Sequence, residues 1–421
     1  MILVSNMRRV FRYGIVSLID ANGRSHEICD FGGVRVVIRL TDKKIARRLM
    51  FASSMAWCEA YMDGRLVFDK GSLADFLQVW GLSENRLEQT WLGETFRIFY
   101  SLLASLEHYN PMERARRNVA HHYDLSAELY DQFLDKDRQY SCAYFPEGNE
   151  DIDTAQLLKK RHIAAKLNIK PGMTVLDIGS GWGGLGIYLA QNFDCNVIGV
   201  TLSEEQHKLS NQRVKELGLT DRVQLELCDY RTLTDPVDRI VSVGMLEHVG
   251  QFHYHEYFRQ VKALLKPGGV ALIHTIARMG RPQPIGAWVR KYIFPGAYLP
   301  SPSQVTRAIE DSYLWLTDVE NLRLHYAKTL RCWYERFAAR RDRIADIYDD
   351  RFCRMWELYL LGCEMVFKDQ YITILQLQIT REIDALPITR DYMIEAEKKL
   401  ALRDNKPARK KKARKRSLEP A

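Results

Sequence analysis

From Gly172 onward, short apolar runs alternate with longer segments whose apolar positions recur every three or four residues. The runs are VLDIG, NVIGVTLS, VQLELCD, RIVSVGM and VALIHTI, and the longer segments include GGLGIYLAQNF, EEQHKLSNQRVKELG and YFRQVKALL. A short apolar run indicates a buried strand, whereas the longer period indicates an amphipathic helix. Their regular alternation predicts βαβ units and therefore an α/β fold with a parallel, doubly wound sheet.

The first hundred residues follow a different pattern. GIVSLIDANG and VRVVIRL show the alternation of strands, with Asn22-Gly23 as a turn signal. KKIARRLMFASS and SLADFLQVWG have helical spacing, and Gly81 predicts the end of the second helix. We predict a small N-terminal α+β accessory domain over residues 1–100, a larger α/β domain over residues 101–400 and a basic disordered tail over residues 401–421.

Composition narrows the class of protein. Hydrophobic residues make up 46% and charged residues 27% of the chain, as in ordinary globular proteins. No apolar run approaches the roughly 18 residues that span a bilayer. Arg12 interrupts the only candidate core of a signal peptide, so we expect a cytoplasmic protein. The eight cysteines form no C-x-x-C pair, which favours reduced thiols and argues against a metal site.

The net charge of +8 is concentrated at one end of the chain. Residues 403–421 contain nine Lys or Arg and two acidic side chains, which leaves the remainder nearly neutral. A segment of this kind has nothing to bury and is expected to be disordered. It is suited to an anionic membrane surface or a nucleic acid, and equally to a purely solubilising role.

The turn VLDIGSGWGG, residues 175–184, fits the glycine pattern of dinucleotide-binding loops, but its surroundings favour another ligand. A nicotinamide site needs an acid at the end of the second strand, and GVTLSEEQ offers none there. Asp177 in the turn and Asp229 after the third strand instead suit S-adenosylmethionine (SAM), which is cationic and lacks phosphate. Either aspartate alone is as easily a loop cap. Together with LLKPGG, the set resembles a class I SAM-dependent methyltransferase.

A longer series of motifs makes the resemblance more specific. QYSCAYF, VLDIGSGWGG, TLSEEQ, CDYR, VGMLEHVG, HTI, KYIFPGAYLPS and HYAKTL occur in order between about Asn110 and Asp391. The chain thereby resembles the cyclopropane-fatty-acyl-phospholipid synthase (mycolic acid cyclopropane synthase-like) family, whose bacterial phospholipid-acting members also have a small accessory domain. The resemblance implies methyl transfer from SAM to a cis double bond in an acyl chain of a membrane phospholipid. The resulting carbocation loses a proton to bicarbonate as the cyclopropane ring closes.

The same resemblance implies the site residues. As catalytic groups it implies Glu247, Cys142, His274, Tyr326 and Cys363. As bicarbonate ligands it implies Cys142, Glu247, His274, Tyr326 and the backbone of Ile276. For SAM binding it implies Tyr140, Ser141, Asp177, Gly179, Gly181, Gly183, Thr201, Leu202, Ser203, Gln206, Asp229, Tyr230 and Arg231.

Some of these residues have ordinary structural roles when taken alone. His274 inside an apolar strand is more often a core histidine, and Tyr326 an ordinary half-buried aromatic. Cys142 is more often an inert apolar side chain, and the apolar neighbours of Cys363 should raise its pKa and blunt its reactivity. Glu247 directly follows an apolar strand, at the edge of the sheet where ligands bind, which favours a functional role.

Partners and alternatives follow from the same residues. We expect a membrane phospholipid with unsaturated acyl chains, peripheral association with the inner face of the membrane and no nucleic-acid partner; the oligomeric state stays open between monomer and homodimer. The proline-rich segment 278–303 predicts a substrate cover whose aromatics, Trp288 among them, seat at the headgroup boundary. Methylene- or methyl-branched products are the main alternative, and methylation of a small amine or a nucleic acid is a weaker one.

Overall fold

Two β-sheets organise the chain. The computed structural model describes residues 2–50, 54–87, 127–280 and 282–404. Most of the linker between the two predicted domains and residues 405–421 of the basic tail lie outside these ranges. The domain boundaries at residues 100 and 400 therefore stay predictions.

The N-terminal sheet has four strands in the order β2-β1-β3-β4, with β1 parallel to β3 and the outer pairs antiparallel. Alternate residues of β1 and β3 are buried, as the strand pattern predicts. The elements are α1 (Ile2–Val10), β1 (Ile15–Ile19), β2 (Ser25–Asp30), β3 (Arg35–Leu40), α2 (Lys43–Met50), α3 (Ser54–Met62), β4 (Leu66–Lys70) and α4 (Leu73–Leu87).

The prediction that Gly81 ends a helix is wrong. Helix α4 continues through Gly81 to Leu87. A Cβ atom at Gly81 would lie 2.7 Å from Sδ of Met365, on a helix of the larger sheet's layer. The glycine therefore permits close packing between two helices, a contact that local sequence does not reveal.

The larger sheet has seven strands in the order β10-β11-β9-β8-β5-β6-β7. The five strands from β9 to β7 are parallel, which confirms the predicted Rossmann-like fold, and β11 and β10 add an antiparallel edge. The strands are β5 (Thr174–Ile178), β6 (Asn196–Thr201), β7 (Val223–Leu227), β8 (Val237–Val243), β9 (Leu265–Arg278), β10 (Trp315–Asn321) and β11 (Ile372–Thr380).

Helices cover both faces of this sheet, and polar caps start several of them. Asp151, Ser203 and Asp349 each accept a hydrogen bond from a backbone amide in the first turn. The helices are α5 (Ala127–Phe133), α6 (Ile152–Leu167), α7 (Gly184–Asn192), α8 (Glu204–Glu216), α9 (Tyr254–Leu264), α10 (Ala287–Tyr292), α11 (Pro302–Asp311), α12 (His325–Ala339), α13 (Arg341–Ile347), α14 (Asp350–Asp369) and α15 (Asp391–Asp404).

The strand order reverses at β5. The chain passes from β5 to β6 on one side, and β8 later pairs with β5 on the other. Ligands of doubly wound sheets bind beyond the carboxyl ends of the strands at such a reversal. The turn after β5 and the segment after β8 are therefore the positions where a site is expected.

The aromatic segment after β9 does not present Trp288 to a membrane. Trp288 is buried, with Nε1 donating to Sδ of Met62 at 3.2 Å, and Lys291 and Tyr292 both hydrogen-bond to Glu59 of α3. The predicted seating of Trp288 at the headgroup boundary is wrong because this ring fills the gap between α10 and the N-terminal layer. Within the described ranges, no helix combines the length and the apolar character needed to cross a membrane.

Candidate active site

Two neighbouring cavities open at the carboxyl ends of the parallel strands. Cavity I has about 1220 Å³ of free space, partly open to solvent, and lies beyond β5, β6, β7 and β8. Cavity II has about 1180 Å³ and extends from the end of β8 toward α10 and α14. Both are lined by Tyr140, Ser141, Gly244 and His248, so they meet. The predicted cofactor residues in cavity I are Tyr140, Ser141, Asp177, Gly179, Gly181, Thr201, Leu202, Gln206, Asp229, Tyr230 and Arg231.

The glycine turn forms the floor of cavity I. Gly179 and Gly181 have left-handed φ angles of +82° and +54°, and a Cβ at Gly181 would point into open space. Gly183, at φ +77°, faces the other way, because its Cβ would lie 3.1 Å from Leu225 and Ser210. The turn thus exposes backbone to the cavity at Gly181, whereas Gly183 does not line it and serves helix packing.

Asp177 supplies a buried negative group beside the turn. It is 2% exposed, and its Oδ2 has no hydrogen-bond partner in the described part of the chain. Burial raises the pKa of this carboxyl to about 7, and nearby Lys159 opposes that rise. A carboxylate oxygen without a hydrogen-bond partner, next to glycine backbone that no side chain covers, fits the ammonium group of SAM.

The residues after β6 divide between the cavity and the helix. Thr201 donates from Oγ1 to Oε1 of Gln206 at 2.8 Å at the cavity wall, where neutral groups suit ribose hydroxyls. Ser203 does not line cavity I and is the N-cap of α8. Ser203 therefore lies near the site in a structural role and does not contact the cavity.

Asp229 lies on cavity I after β7, as predicted, but it is already engaged. Its carboxylate accepts from the backbone amide of Arg231 at 3.0 Å and from both Nε and Nη2 of that guanidinium at 2.9 and 2.7 Å. Tyr230 packs edge-on against Tyr257 behind the cavity. The ion pair fixes the Asp229 side chain, so an adenine amino group would bind a preorganised acceptor.

Cavity II collects every residue predicted to be catalytic or to bind bicarbonate, namely Cys142, Glu247, His274, Ile276, Tyr326 and Cys363. These residues come from different parts of the chain. Glu247 lies in a short 3₁₀ turn after β8, His274 and Ile276 in β9, Tyr326 in α12 and Cys363 in α14. Apolar side chains from the segment after β9 and from α14 form much of the remaining wall.

Glu247 is the buried acid of cavity II. It is 4% exposed; Oε1 accepts from the amide of Ile276 at 2.6 Å, and Oε2 has no partner in the described part of the chain. Burial raises the pKa of Glu247 to about 7, although the amide of Ile276 opposes the rise. An anion that bound the Ile276 amide would have to share it with Glu247.

This pKa predicts a pH-dependent cost in stability. The folded-state pKa of about 7 exceeds the ordinary value of 4.5. The contribution of protonated Glu247 to the free energy of unfolding is therefore complete below about pH 4.5 and is lost as the pH rises to about 7. We expect Glu247→Gln, which cannot ionise, to gain roughly 3 kcal/mol in free energy of unfolding over wild type across this window. Urea unfolding at about pH 5 and about pH 8 measures the change. An equal difference between the two proteins at both pH values would contradict it.

The predicted histidine and cysteines of cavity II are neutral, although Arg278 also lines the cavity. Burial lowers the pKa of His274 to about 3, and its Nε2 has no partner in the described ranges. Burial raises the thiol pKa of Cys363 to about 12 and that of Cys142 still further. Neither cysteine is poised as a thiolate nucleophile, as the apolar surroundings of Cys363 predict. Tyr326 is almost buried, with its ring 4.7 Å from that of Phe367.

Sequence analysis missed three side chains around the cavities. His248 lines both, and burial lowers its pKa to about 4. Lys159 donates to Ser141 Oγ at 2.8 Å, and Gln376 contacts His274 from behind. The position of His248 next to Glu247 was a usable signal, whereas Lys159 and Gln376 follow the ordinary pattern of their helix and strand.

Comparison with known proteins agrees with this geometry. The family model described as mycolic acid cyclopropane synthetase matches residues 111–377. The chain belongs to this family. It is 38% identical over 353 residues to cyclopropane-fatty-acyl-phospholipid synthase of Escherichia coli (strain K12), an alignment that covers 84% of this chain and 90% of the relative. It is 40% identical over 287 residues to tuberculostearic acid methyltransferase UfaA1 of Mycobacterium tuberculosis (strain ATCC 25618 / H37Rv), covering 64% and 66%.

Solved structures place this family member among SAM-dependent methyltransferases. The structure of mycolic acid cyclopropane synthase CmaA1 complexed with SAH and CTAB is 33% identical and superposes with a TM-score of 0.61, covering 65% of this chain and 99% of that chain. The chain is therefore a SAM-dependent methyltransferase with the class I fold.

Proposed function

We propose that this enzyme transfers the methyl group of SAM to a cis double bond in an acyl chain of a membrane phospholipid and closes a cyclopropane ring with the help of bicarbonate. The observation that carries the proposal is the meeting of the two cavities. A pocket suited to SAM adjoins an apolar pocket that contains a buried acid and a neutral histidine.

Cavity I supplies the means to hold and orient SAM, which when bound supplies the electrophilic methyl group. Asp177 would pair with the ammonium group, the backbone at Gly181 would allow close approach, and Thr201 with Gln206 would receive the ribose. Tyr140 and Ser141 separate the two cavities, and the hydroxyl of Tyr140 donates to that of Tyr359 at 2.8 Å. This bond fixes the Tyr140 ring at the boundary where the two substrates meet.

Cavity II supplies an apolar channel for the acyl chain. Val289, Phe294 and Leu299 come from the segment after β9, and Val366 and Phe367 come from α14. Such walls exclude water, which would otherwise add to the carbocation that alkene methylation creates. In this proposal the segment after β9 covers the acyl chain.

The polar end of cavity II suits a small anion that accepts the departing proton. Oε2 of Glu247 would accept from the hydroxyl of bicarbonate, and His274 and Tyr326 would donate to its oxygens. Bound there, the anion would supply negative charge near the carbocation and a base for the proton lost from the former methyl carbon. The electron pair of that C–H bond would then close the ring.

The basic tail is expected to strengthen membrane docking. Removal of residues 405–421 should weaken binding to anionic vesicles at low salt, because each basic residue near an anionic surface contributes up to about 1 kcal/mol. Turnover of detergent-dispersed substrate should stay nearly unchanged. The cut begins after Asp404 because this residue pairs with Arg161 at 2.9 Å. Vesicle sedimentation across a salt series measures the effect, and equal binding by the two proteins would leave the tail a solubilising role.

Lipid mass spectrometry of cells that express the chain tests the function. Monounsaturated phospholipid chains should gain one CH₂, about 14 mass units, and cells expressing Glu247→Ala should accumulate this product at least about 10²-fold more slowly. If the wild-type enzyme binds SAM but leaves the lipids unchanged, the proposed acyl substrate is refuted. If purified enzyme freed of bicarbonate turns over at full rate, the proposed base is refuted.

A second product class is favoured by one observation, the 40% identity to a tuberculostearic acid methyltransferase. A methylene-branched chain has the same mass as a cyclopropane but is cleaved by ozone. A saturated methyl-branched chain carries two further hydrogens. The same lipid extract therefore distinguishes the three products.

A further inference from the structure

Strand register places a buried glutamine directly behind the histidine of cavity II. β11 runs antiparallel to β9, and Gln376 is the cross-strand partner of His274. Gln376 is 0% and His274 is 2% exposed. Nε2 of the Gln376 amide lies 3.2 Å from Nδ1 of His274. The two side chains therefore form a hydrogen bond that water does not reach.

A lysine fixes which end of the amide faces the histidine. Nζ of Lys166 lies 2.8 Å from Oε1 of Gln376, and an ammonium group has donors only. Oε1 must accept from Lys166, so the NH₂ of the amide faces His274. Nδ1 of His274 then accepts this hydrogen bond and carries no proton.

Lys166 is in turn held by charge. Its ammonium group pairs with Oε2 of Glu320, which also lies 2.6 Å from Nε2 of His162. Burial alone would raise the pKa of Glu320. The hydrogen bond from His162 and the positive charges of His162 and Lys166 outweigh burial and lower this pKa to about 2. Burial lowers the pKa of Lys166, but the charge of the Glu320 carboxylate and the hydrogen bond to it oppose this shift and hold Lys166 as a cation.

We propose that Gln376, oriented by Lys166, is a positioning residue that fixes His274 in the Nε2–H tautomer, so that the ring presents a donor to cavity II. Nε2 is buried without a partner in the described ranges, and His274 and the unpartnered Oε2 of Glu247 line the same cavity. A donor and an acceptor in one cavity match an anion that carries one hydroxyl. The inference depends on the proposed function only for the identity of that anion, bicarbonate.

The tautomer is measurable without turnover. In full-length protein labelled with ¹⁵N-histidine, ring ¹⁵N shifts distinguish a protonated from an unprotonated nitrogen, and loss of a signal in His274→Gln assigns it. At about pH 8, wild-type His274 should carry its proton on Nε2. A proton on Nδ1, or on both nitrogens, would overturn the proposal whatever the activity.

Gln376→Glu should reverse the tautomer. The new carboxylate only accepts, so it favours the tautomer that carries its proton on Nδ1 and donates to the carboxylate, which leaves Nε2 as an unprotonated acceptor facing the anion. The bicarbonate concentration for half-maximal rate should rise about 10- to 100-fold, the equivalent of losing one hydrogen bond to a charged group. Gln376→Leu can neither donate to nor accept from Nδ1 of His274. It should therefore leave a mixture of the two tautomers and a smaller rise in the bicarbonate concentration for half-maximal rate.

Gln378→Glu is the matched control. Gln378 is buried on the same face of β11, but Nε2 donates to the Lys166 carbonyl and to the Tyr392 hydroxyl, both at 2.6 Å. This variant should retain the wild-type tautomer of His274. An unchanged tautomer in Gln376→Glu would refute the proposal. A reversed tautomer in an enzyme that does not need bicarbonate would support the proposal and reject the proposed base.

Discussion

Glu247→Ala is expected to lower turnover by about 10²- to 10⁴-fold, the usual range for loss of a group that assists proton transfer. Oε2 of Glu247 is a buried acceptor with no partner among the described residues, so its removal would leave the proposed anion without the group that orients its hydroxyl. SAM affinity should change little, because Glu247 lines cavity II and not cavity I. Steady-state kinetics and calorimetric titration with SAM separate the two effects.

Glu256→Ala provides the control for this variant. Glu256 lies in α9, is exposed and pairs with His253 at 3.0 Å, away from both cavities. It should retain wild-type turnover. Full activity of Glu247→Ala would refute the role given to this carboxylate, and a parallel loss of SAM binding would show that the substitution disturbs the fold.

Gly181→Val is expected to weaken SAM binding by at least about 100-fold, or ~3 kcal/mol. A β-branched residue is strained at the φ of +54°, and its side chain would enter the open space of cavity I where the bare backbone allows close approach. Calorimetry well below the unfolding temperature measures the affinity. Tight NADH binding by wild type in place of SAM would reject the cofactor assignment itself.

Gly218→Val separates backbone strain from loss of the ligand contact. Gly218 has a similar φ of +63°, also with open space around a Cβ, but it follows α8 and does not line cavity I. Both variants should lose stability, whereas only Gly181→Val should lose SAM binding. Equal affinities in the two variants would show that Gly181 does not approach the cofactor.

The sequence by itself determined the order of the five parallel strands with their helices and the positions of the main functional groups, but not the antiparallel strands β10 and β11. Burial of short apolar runs is a local property, and parallel strands share one carboxyl edge, so residues at or after the ends of β5, β7 and β8 must converge. Asp177 and Asp229 were found in this way. Glu247 came from the family resemblance, and its position after an apolar strand favoured a functional role. The roles of His274, Tyr326 and Cys142 came only from the family resemblance, since nothing local distinguishes them from core residues.

Only the tertiary structure decided which side chains lose contact with water and which meet across the chain. Gly81 continues a helix because Met365 packs against it, and Trp288 is buried because Met62 lies beneath it. The raised pKa of Glu247 and the contact between His274 and Gln376 depend on burial and strand register, which join residues far apart in sequence. Local periodicity predicts which face of an element is buried, but the partner that covers it is fixed only when the whole chain packs.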